Sequence, residues 1–193
     1  MKILFATANK GKLREAAEVL GPDYEVISPA DLGVNEDIPE TGSTLQENSL
    51  QKARYLFDRT GIPCFADDTG LEVDALGGAP GIYSARYAGP AHDSEANMDK
   101  LLAELTRLDD RGARFRTVVT LILADGRPRF FEGVCEGSIA REQRGTGGFG
   151  YDPVFLPDAY PGRTLAEVSE EEKNAVSHRG RAIRAMAAWL KSR

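Results

Sequence analysis

The chain has 193 residues, which is enough for one large domain or for two lobes that share a sheet. Hydrophobic residues make up 41% and charged residues 28%, as in ordinary folded proteins, and the formal net charge of −6 disfavours non-specific binding to nucleic acids or anionic membranes. No apolar run has membrane length and no signal peptide is recognisable, so we expect a cytoplasmic protein. Cys64 and Cys135 are expected to be packed, reduced thiols, and the scattered cysteines and histidines form no zinc pattern.

Strand and helix patterns alternate in the first half of the chain. An apolar run predicts a buried strand at residues 3–6, and apolar residues at i, i+3, i+4 and i+7 predict a helix across residues 13–20. A second strand is predicted at residues 24–27. A capping-box pattern at residues 44–47 opens the next helix, and a strand follows at residues 64–66.

The second half of the chain adds a hairpin. Ser94 is predicted to cap a helix, and β-rich runs at 114–124 and 129–139 flank the turn sequence Asp125-Gly126-Arg127-Pro128. A second capping box at residues 169–172 precedes the last helix. Alternating strands and helices followed by a hairpin predict an α/β fold with a mixed sheet, in a single domain across residues 1–193.

The loop between the first strand and the first helix has the composition of an anion-binding turn. Free backbone N–H groups and the positive end of a helix face such a loop, and its two lysines add full charges. It is not a Walker loop, because the two spaced glycines and the Lys-Ser/Thr pair are missing. A solvated turn is the alternative interpretation. The loop residues are Thr7, Ala8, Asn9, Lys10, Gly11 and Lys12.

Two acidic segments are candidates for chemistry. Asp67 and Asp68 follow a predicted strand at its carboxyl end, where open α/β sheets place their ligands. Neighbouring residues of a strand point to opposite faces, so we expect one aspartate to hold a cation while the other orients water or a loop. A simple turn is the alternative. Glu40 lies in a polar loop before a helix, and taken alone it is better interpreted as a solvated loop carboxylate. Paired with the aspartates, it could supply the second carboxylate of a Mg²⁺ site.

The later candidates lie in a Gly-rich loop and at the start of the last helix. Residues 145–150 match the dinucleotide pattern G-x-G-x-x-G, but the sequence leads into a strand rather than a helix, so we reject that interpretation. We expect Phe149 and Tyr151 to approach a flat ligand; the alternative is that these aromatic rings lie in the core. His178 and Arg179 oppose the helix dipole, which favours a ligand role for them.

Taken together, these segments resemble the inosine and xanthosine triphosphate pyrophosphatases, which hydrolyse deaminated purine nucleoside triphosphates. The matching segments occur in family order and span nearly the whole chain. Ala8 stands where many members have Gly, and Thr69 where many have Ser. The segments are residues 7–12, Glu40-Thr41-Gly42, residues 66–70, residues 77–86, residues 147–153, Lys173 and residues 177–180.

The resemblance implies a role for each matching residue. It implies that residues 7–12 bind the triphosphate, that Asp68 is the proton acceptor, and that Asp68 and Glu40 are Mg²⁺ ligands. It also implies an elongated mixed sheet flanked by helices, a cleft between two lobes, and a homodimer. The implied contacts to the remainder of the substrate come from Thr69, Phe149, Gly150, Tyr151, Asp152, Lys173, His178 and Arg179.

The expected reaction cleaves ITP, dITP or XTP between the α- and β-phosphates to give the monophosphate and pyrophosphate. In this hypothesis Lys12 and Lys173 stabilise the leaving pyrophosphate. Two alternatives remain. A related family that prefers pyrimidine or modified nucleotides has a Ser-Pro-Arg-Arg opening loop, which this chain lacks. A non-catalytic nucleotide-binding protein would not need the carboxylates at Glu40, Asp67 and Asp68.

Overall fold

The chain forms a mixed sheet and five helices in a computed structural model that describes residues 1–193. The strands are β1 (Lys2–Phe5), β2 (Glu25–Ile27), β3 (Cys64–Val73), β4 (Pro80–Gly81), β5 (Gly112–Ile122), β6 (Pro128–Ile139) and β7 (Phe155–Pro157). The helices are α1 (Lys10–Leu20), α2 (Leu45–Thr60), α3 (Ser94–Leu105), α4 (Glu170–Val176) and α5 (His178–Lys191).

The sheet has the strand order β2-β1-β3-β5-β6-β7, with β4 paired to β3. β1 runs parallel to both β2 and β3, whereas β4 is antiparallel to β3 and β7 is antiparallel to β6. The predicted α/β class with a mixed sheet is therefore confirmed, and the predicted hairpin is the pair β5 and β6.

Helix ends follow the predicted capping chemistry only in part. At α2 the Thr44 hydroxyl accepts from the Glu47 N–H, but the Glu47 carboxylate accepts from the Ser43 N–H instead of the Thr44 N–H, so the predicted capping box is incomplete. The box at α4 is complete, because the Ser169 hydroxyl accepts from the Glu172 N–H and the Glu172 carboxylate accepts from the Ser169 N–H. The prediction that Ser94 caps α3 is wrong. Asp93 caps this helix by accepting from the backbone N–H groups of Glu95 and Ala96, so Ser94 is the first helical residue.

β3 continues through its two aspartates, so the prediction that they stand at the end of a strand is wrong. β1 pairs with β3 only as far as Phe5 opposite Phe65, and the aspartates come directly after this parallel segment. The strand then continues because Leu71 pairs with Gly81 of β4. Gly70 permits this pairing, since a Cβ at that position would lie 2.6 Å from the Gly81 carbonyl oxygen.

The chain divides into two compact units, each with its own core. The first unit comprises Met1–Asp68, Thr117–Gly133 and Arg179–Arg193, and its core includes the stacked rings of Phe5 and Phe65, 4.3 Å apart. The second unit comprises Thr69–Arg116 and Val134–His178, and its core is centred on Phe115 and Phe155.

Two further sequence predictions can be compared with the structure. Cys64 and Cys135 are both buried free thiols, as predicted. Burial raises the pKa of the Cys64 thiol to about 12, so it is inert near neutral pH. None of the helices has the length and apolar composition needed to span a membrane.

Candidate active site

The loop that joins β1 to α1 is built by two of its own side chains. The Asn9 side-chain oxygen caps α1, accepting from the N–H groups of Gly11 at 2.8 Å and Lys12 at 3.1 Å. The Thr7 hydroxyl accepts from the Asn9 N–H at 3.1 Å. The first turn of α1 has no acidic residue, so its positive end is not neutralised from within the helix. Ala8 and Lys10 of this loop are exposed, and anion binding by the loop stays a prediction.

Asp67 is a buried carboxylate that holds two cations. Its side chain is 2% exposed, and it accepts from the Lys12 ammonium at 3.0 and 3.2 Å and from Arg179 Nε at 2.8 Å. Burial raises the pKa of the Asp67 carboxyl, but the charges of Lys12, Arg179 and Lys52 lower it by more. The pKa therefore lies well below its usual range, and Asp67 stays ionised.

Asp68 belongs to a different group of charges. Its Oδ1 lies 3.8 Å from the ammonium of Lys52, a lysine of α2, and the same ammonium lies 2.5 Å from Oε1 of Glu40. The Lys52 side chain is only 12% exposed. The two carboxylates predicted as metal ligands are thus gathered around one positive charge. No cluster of three or more potential ligands from His, Cys, Asp and Glu is present.

The Glu40 loop is fastened to α2 by two amide side chains. Gln51 Oε1 accepts from the Thr41 N–H at 2.8 Å, and Asn48 Oδ1 accepts from the Gly42 N–H at 2.7 Å. A Cβ on Gly42 would lie 2.6 Å from the Glu47 Cβ, so a glycine is needed for this close approach. These contacts fix the backbone that carries Glu40 against the helix that carries Lys52.

In the second unit, the Gly-rich loop forms a group with α4. Phe149 is 71% exposed, and the Lys173 ammonium lies over its ring, 4.2 Å from the centroid. Lys173 also donates to the buried carboxylate of Asp152, which accepts from the Phe149 N–H at 3.0 Å. The arrangement presents an aromatic face and a cation at one place, which suits a flat, polar ligand.

Tyr151 differs from Phe149, because its ring lies in the core of the second unit. Its hydroxyl donates to the Ser84 carbonyl oxygen at 2.6 Å, and burial raises the pKa of this phenol. The expectation that Tyr151 approaches a flat ligand is therefore wrong for its ring, and the core alternative holds. The loop is followed by a short 3-10 helix at Asp152–Val154 and then by β7, and not by an α-helix, so the rejection of the dinucleotide interpretation is supported.

The remaining candidates lie at element boundaries. His178, the first residue of α5, stacks on Phe115 at 5.1 Å between ring centroids. Arg179 is the next residue and pairs with Asp67 in the first unit, as described above. Thr69 follows Asp68 in β3, and Gly150 has a positive φ of 60°, which glycine adopts without strain.

The sequence of the whole chain matches one family of known proteins. A model of the Ham1 family matches residues 3–189. The chain belongs to the Ham1 family. Two Ham1 relatives, the dITP/XTP pyrophosphatases of Christiangramia forsetii and Porphyromonas gingivalis, are 50% and 51% identical over 190 residues, covering 98% of this chain and 99% and 97% of theirs. The structure of the Staphylococcus aureus Ham1 protein is 41% identical, with a TM-score of 0.93 over 100% of this chain and 99% of that one.

The sequence analysis does not identify three residues that shape this candidate site. Asn48, Gln51 and Lys52 hold the Glu40 loop and join its carboxylate to Asp68. Their spacing at i, i+3 and i+4 places them on one face of α2. The pattern that indicates these residues is a helix with polar residues along one face, directly after an acidic loop.

Proposed function

We propose that this chain hydrolyses ITP, dITP and XTP to the nucleoside monophosphate and pyrophosphate, and so removes deaminated purines from the nucleotide pool. The observation that carries the proposal is that the two neighbouring aspartates have different cationic partners. Asp67 is committed to Lys12 and Arg179, whereas Asp68 and Glu40 converge on a single cation. The names of the two bacterial relatives support the substrate class.

The acidic pair fits a hard divalent cation, and we propose Mg²⁺. Glu40 and Asp68 reach the same ammonium group, so their oxygens are already placed to share one positive charge. Mg²⁺ in phosphate-transfer sites commonly takes one or two carboxylates and completes its shell with water and phosphate oxygens, so a third acidic ligand is not required. When bound, Mg²⁺ would neutralise phosphate charge.

Lys12 and Asp68, which belong to the first unit, would act on the phosphates. Asp68 accepts the proton of the water that attacks the phosphoanhydride, and the bond between the bridging oxygen and the attacked phosphorus breaks. Lys12 and the positive end of α1 stabilise negative charge on the phosphate oxygens. Asn9 fixes the first turn of this helix, because its side-chain oxygen accepts from the Gly11 and Lys12 N–H groups.

The residues of the second unit would hold the nucleoside. Phe149 offers the exposed ring for a base, and Lys173 and Asp152 fix the loop that carries it. We assign Lys173 to this end of the substrate, because its ammonium lies over the Phe149 ring. We further propose a cytoplasmic homodimer that acts on free nucleotides, consistent with the acidic net charge of −6.

A nucleotide panel tests this function. The purified chain would be incubated with Mg²⁺ and ITP, dITP, XTP, ATP, GTP, CTP or UTP, with pyrophosphate and orthophosphate measured separately. We expect pyrophosphate from the first three substrates and little turnover of the others. Orthophosphate as the main product would indicate a different reaction, and a preference for CTP or UTP would favour the pyrimidine alternative.

A further inference from the structure

The Asp67 carboxylate is fully engaged by two cations from different helices. Lys12 comes from the first turn of α1, and its ammonium lies 3.2 Å from Oδ1 and 3.0 Å from Oδ2. Arg179 comes from the first turn of α5 and donates through Nε to Oδ2 at 2.8 Å. A single carboxylate of β3 therefore sets the separation between a lysine of the phosphate loop and an arginine of another helix.

We propose that Asp67 is the positioning residue of this site, which fixes Lys12 and Arg179 in the geometry that the transition state requires without itself touching the substrate. The inference rests on the proposed function, since the transition state is that of nucleotide hydrolysis. Lys12 and Arg179 have side chains that are 26% and 12% exposed, whereas Asp67 is 2% exposed. The cations can reach a substrate, and the carboxylate behind them is out of reach.

Other roles for Asp67 fit the structure less well. A proton acceptor needs an oxygen that the attacking water can approach, but the Asp67 side chain is 2% exposed and both of its oxygens accept from Lys12. A metal ligand needs an oxygen directed at the ion, but both oxygens already accept from Lys12 and one also accepts from Arg179. A positioning role for Asp67 agrees with its contacts to Lys12 and Arg179.

The charge of Asp67 gives the proposal a kinetic signature. A polyphosphate substrate is repelled by this carboxylate, so its neutralisation does not weaken binding of the substrate in the ground state. Catalysis depends on the placement of the two cations, and these are no longer held when the Asp67 carboxylate is removed. Loss of Asp67 therefore lowers kcat and leaves KM unchanged or lower. A residue with a structural role alone would reduce the folded fraction without changing kcat per folded molecule.

The first experiment compares Asp67→Asn and Asp67→Glu with the native chain. Asp67→Glu keeps the charge but moves the carboxylate by one methylene, so it tests geometry even if the buried amide prevents folding. For each variant with a cooperative thermal transition, we expect a loss in kcat for ITP of at least about tenfold, since small misplacements have large kinetic effects. KM is expected to stay within about twofold of the native value or to fall, by the charge argument above.

Glu72→Gln serves as the matched control. Glu72 lies in the same strand and pairs with Arg116 at 3.1 Å, so this change removes a partly buried ion pair that the site does not use. We expect its kcat to remain native. A native kcat in both Asp67 variants would overturn the positioning role, and so would a rise in KM with kcat unchanged, which indicates direct substrate contact.

A double-mutant cycle shows whether Asp67 acts through its partners. Asp67→Asn would be combined with Lys12→Met and, separately, with Arg179→Met. If Asp67 acts by holding these cations, Asp67→Asn lowers kcat by a much smaller factor in at least one of the two backgrounds than in the native chain. The reason is that the effects of coupled residues are not additive. The proposal would be overturned if Asp67→Asn lowered kcat in both backgrounds by the same factor as in the native chain.

The same cycle can be measured on binding, which separates this inference from the proposed function. Inorganic tripolyphosphate would be titrated calorimetrically into each variant without turnover. If the effects of the substitutions on tripolyphosphate affinity are not additive, and the native chain does not hydrolyse ITP, the proposed function is rejected. The link between Asp67 and its two cations is then retained. Active native enzyme with no coupling in either assay would reject the positioning role alone.

Discussion

Asp67 and Asp68 are consecutive residues of β3, yet their carboxylates contact cations from different helices. Asp67 pairs with Lys12 of α1 and Arg179 of α5, whereas Asp68 faces Lys52 of α2. The separation follows from strand geometry, because consecutive side chains project to opposite faces. Two like charges, which would repel if they shared a site, therefore have different partners within ion-pair distance.

The acidic pair around Lys52 leads to a metal prediction. Removal of divalent ions with a chelator should abolish pyrophosphate release, and added Mg²⁺ should restore it, because Glu40 and Asp68 lie around one positive charge and carboxylates placed in this way can hold a divalent ion. Titration of Mg²⁺ into the metal-free protein, followed by calorimetry, should show binding that Glu40→Gln weakens. Full turnover in a metal-free sample would remove the proposed metal role.

Asp68→Asn tests the proton acceptor. The amide matches the carboxylate in shape but is a poor base, so kcat should fall by at least the ~10²-fold typical of general-base loss. The thermal midpoint should stay near native, because the side chain lies outside the apolar clusters. Asp58→Asn changes an exposed residue of α2 and serves as the control, so its kcat and thermal midpoint should stay native. Near-native turnover by Asp68→Asn would move the catalytic assignment to another group.

Base selectivity should depend on donors at the start of α5. Hypoxanthine and xanthine have a carbonyl at C6, where adenine has an amino group, and Arg179 can only donate. We expect kcat/KM to favour ITP over ATP strongly, since a site built on hydrogen bonds can discriminate by ~10⁴. Arg179→Ala should lose much of this preference, whereas Arg184→Ala, at an exposed position of α5, should keep it.

The measurement for this selectivity is the ratio of kcat/KM for ITP and ATP in each protein. Equal values in the native chain would contradict the substrate assignment. A preserved ratio in Arg179→Ala, with both substrates slowed equally, would show that Arg179 serves the phosphates and not the base.

Gly148 gives a prediction about the loop that presents Phe149. Its φ is +70°, and a Cβ there would lie 2.1 Å from an Asp152 carboxylate oxygen. Gly148→Ala should therefore displace Asp152 from Lys173 and raise KM for ITP. Gly162→Ala, at φ +78° with open space around it, should show only the backbone cost of roughly 1–2 kcal/mol. Thermal unfolding and KM for both variants provide the comparison, and equal behaviour would mean that the Asp152 contact is unimportant.

Several elements could be predicted because their signals are local. The capping box of α4 and the turn between β5 and β6 depend on residues that are close in sequence, and both are present in the structure. The cap of α3 is not fixed by the sequence, since Asp93 and Ser94 are both capping types and only the backbone geometry distinguishes them. The end of β3 is not fixed either, because two aspartates resemble a turn, whereas the pairing of β3 with β4 keeps the strand extended.

The sequence by itself determined the fold class, the loop between β1 and α1, and the alternation that separates Asp67 from Asp68. These depend on composition, short-range spacing and the two-residue alternation of a strand, which fix the local conformation. Only the tertiary structure decided the partners: Lys12 and Arg179 for Asp67, Lys52 for Glu40 and Asp68, and the core for the ring of Tyr151. The physical reason is that a charge or a ring finds its partner through space, and residues up to 112 positions apart meet here on one carboxylate.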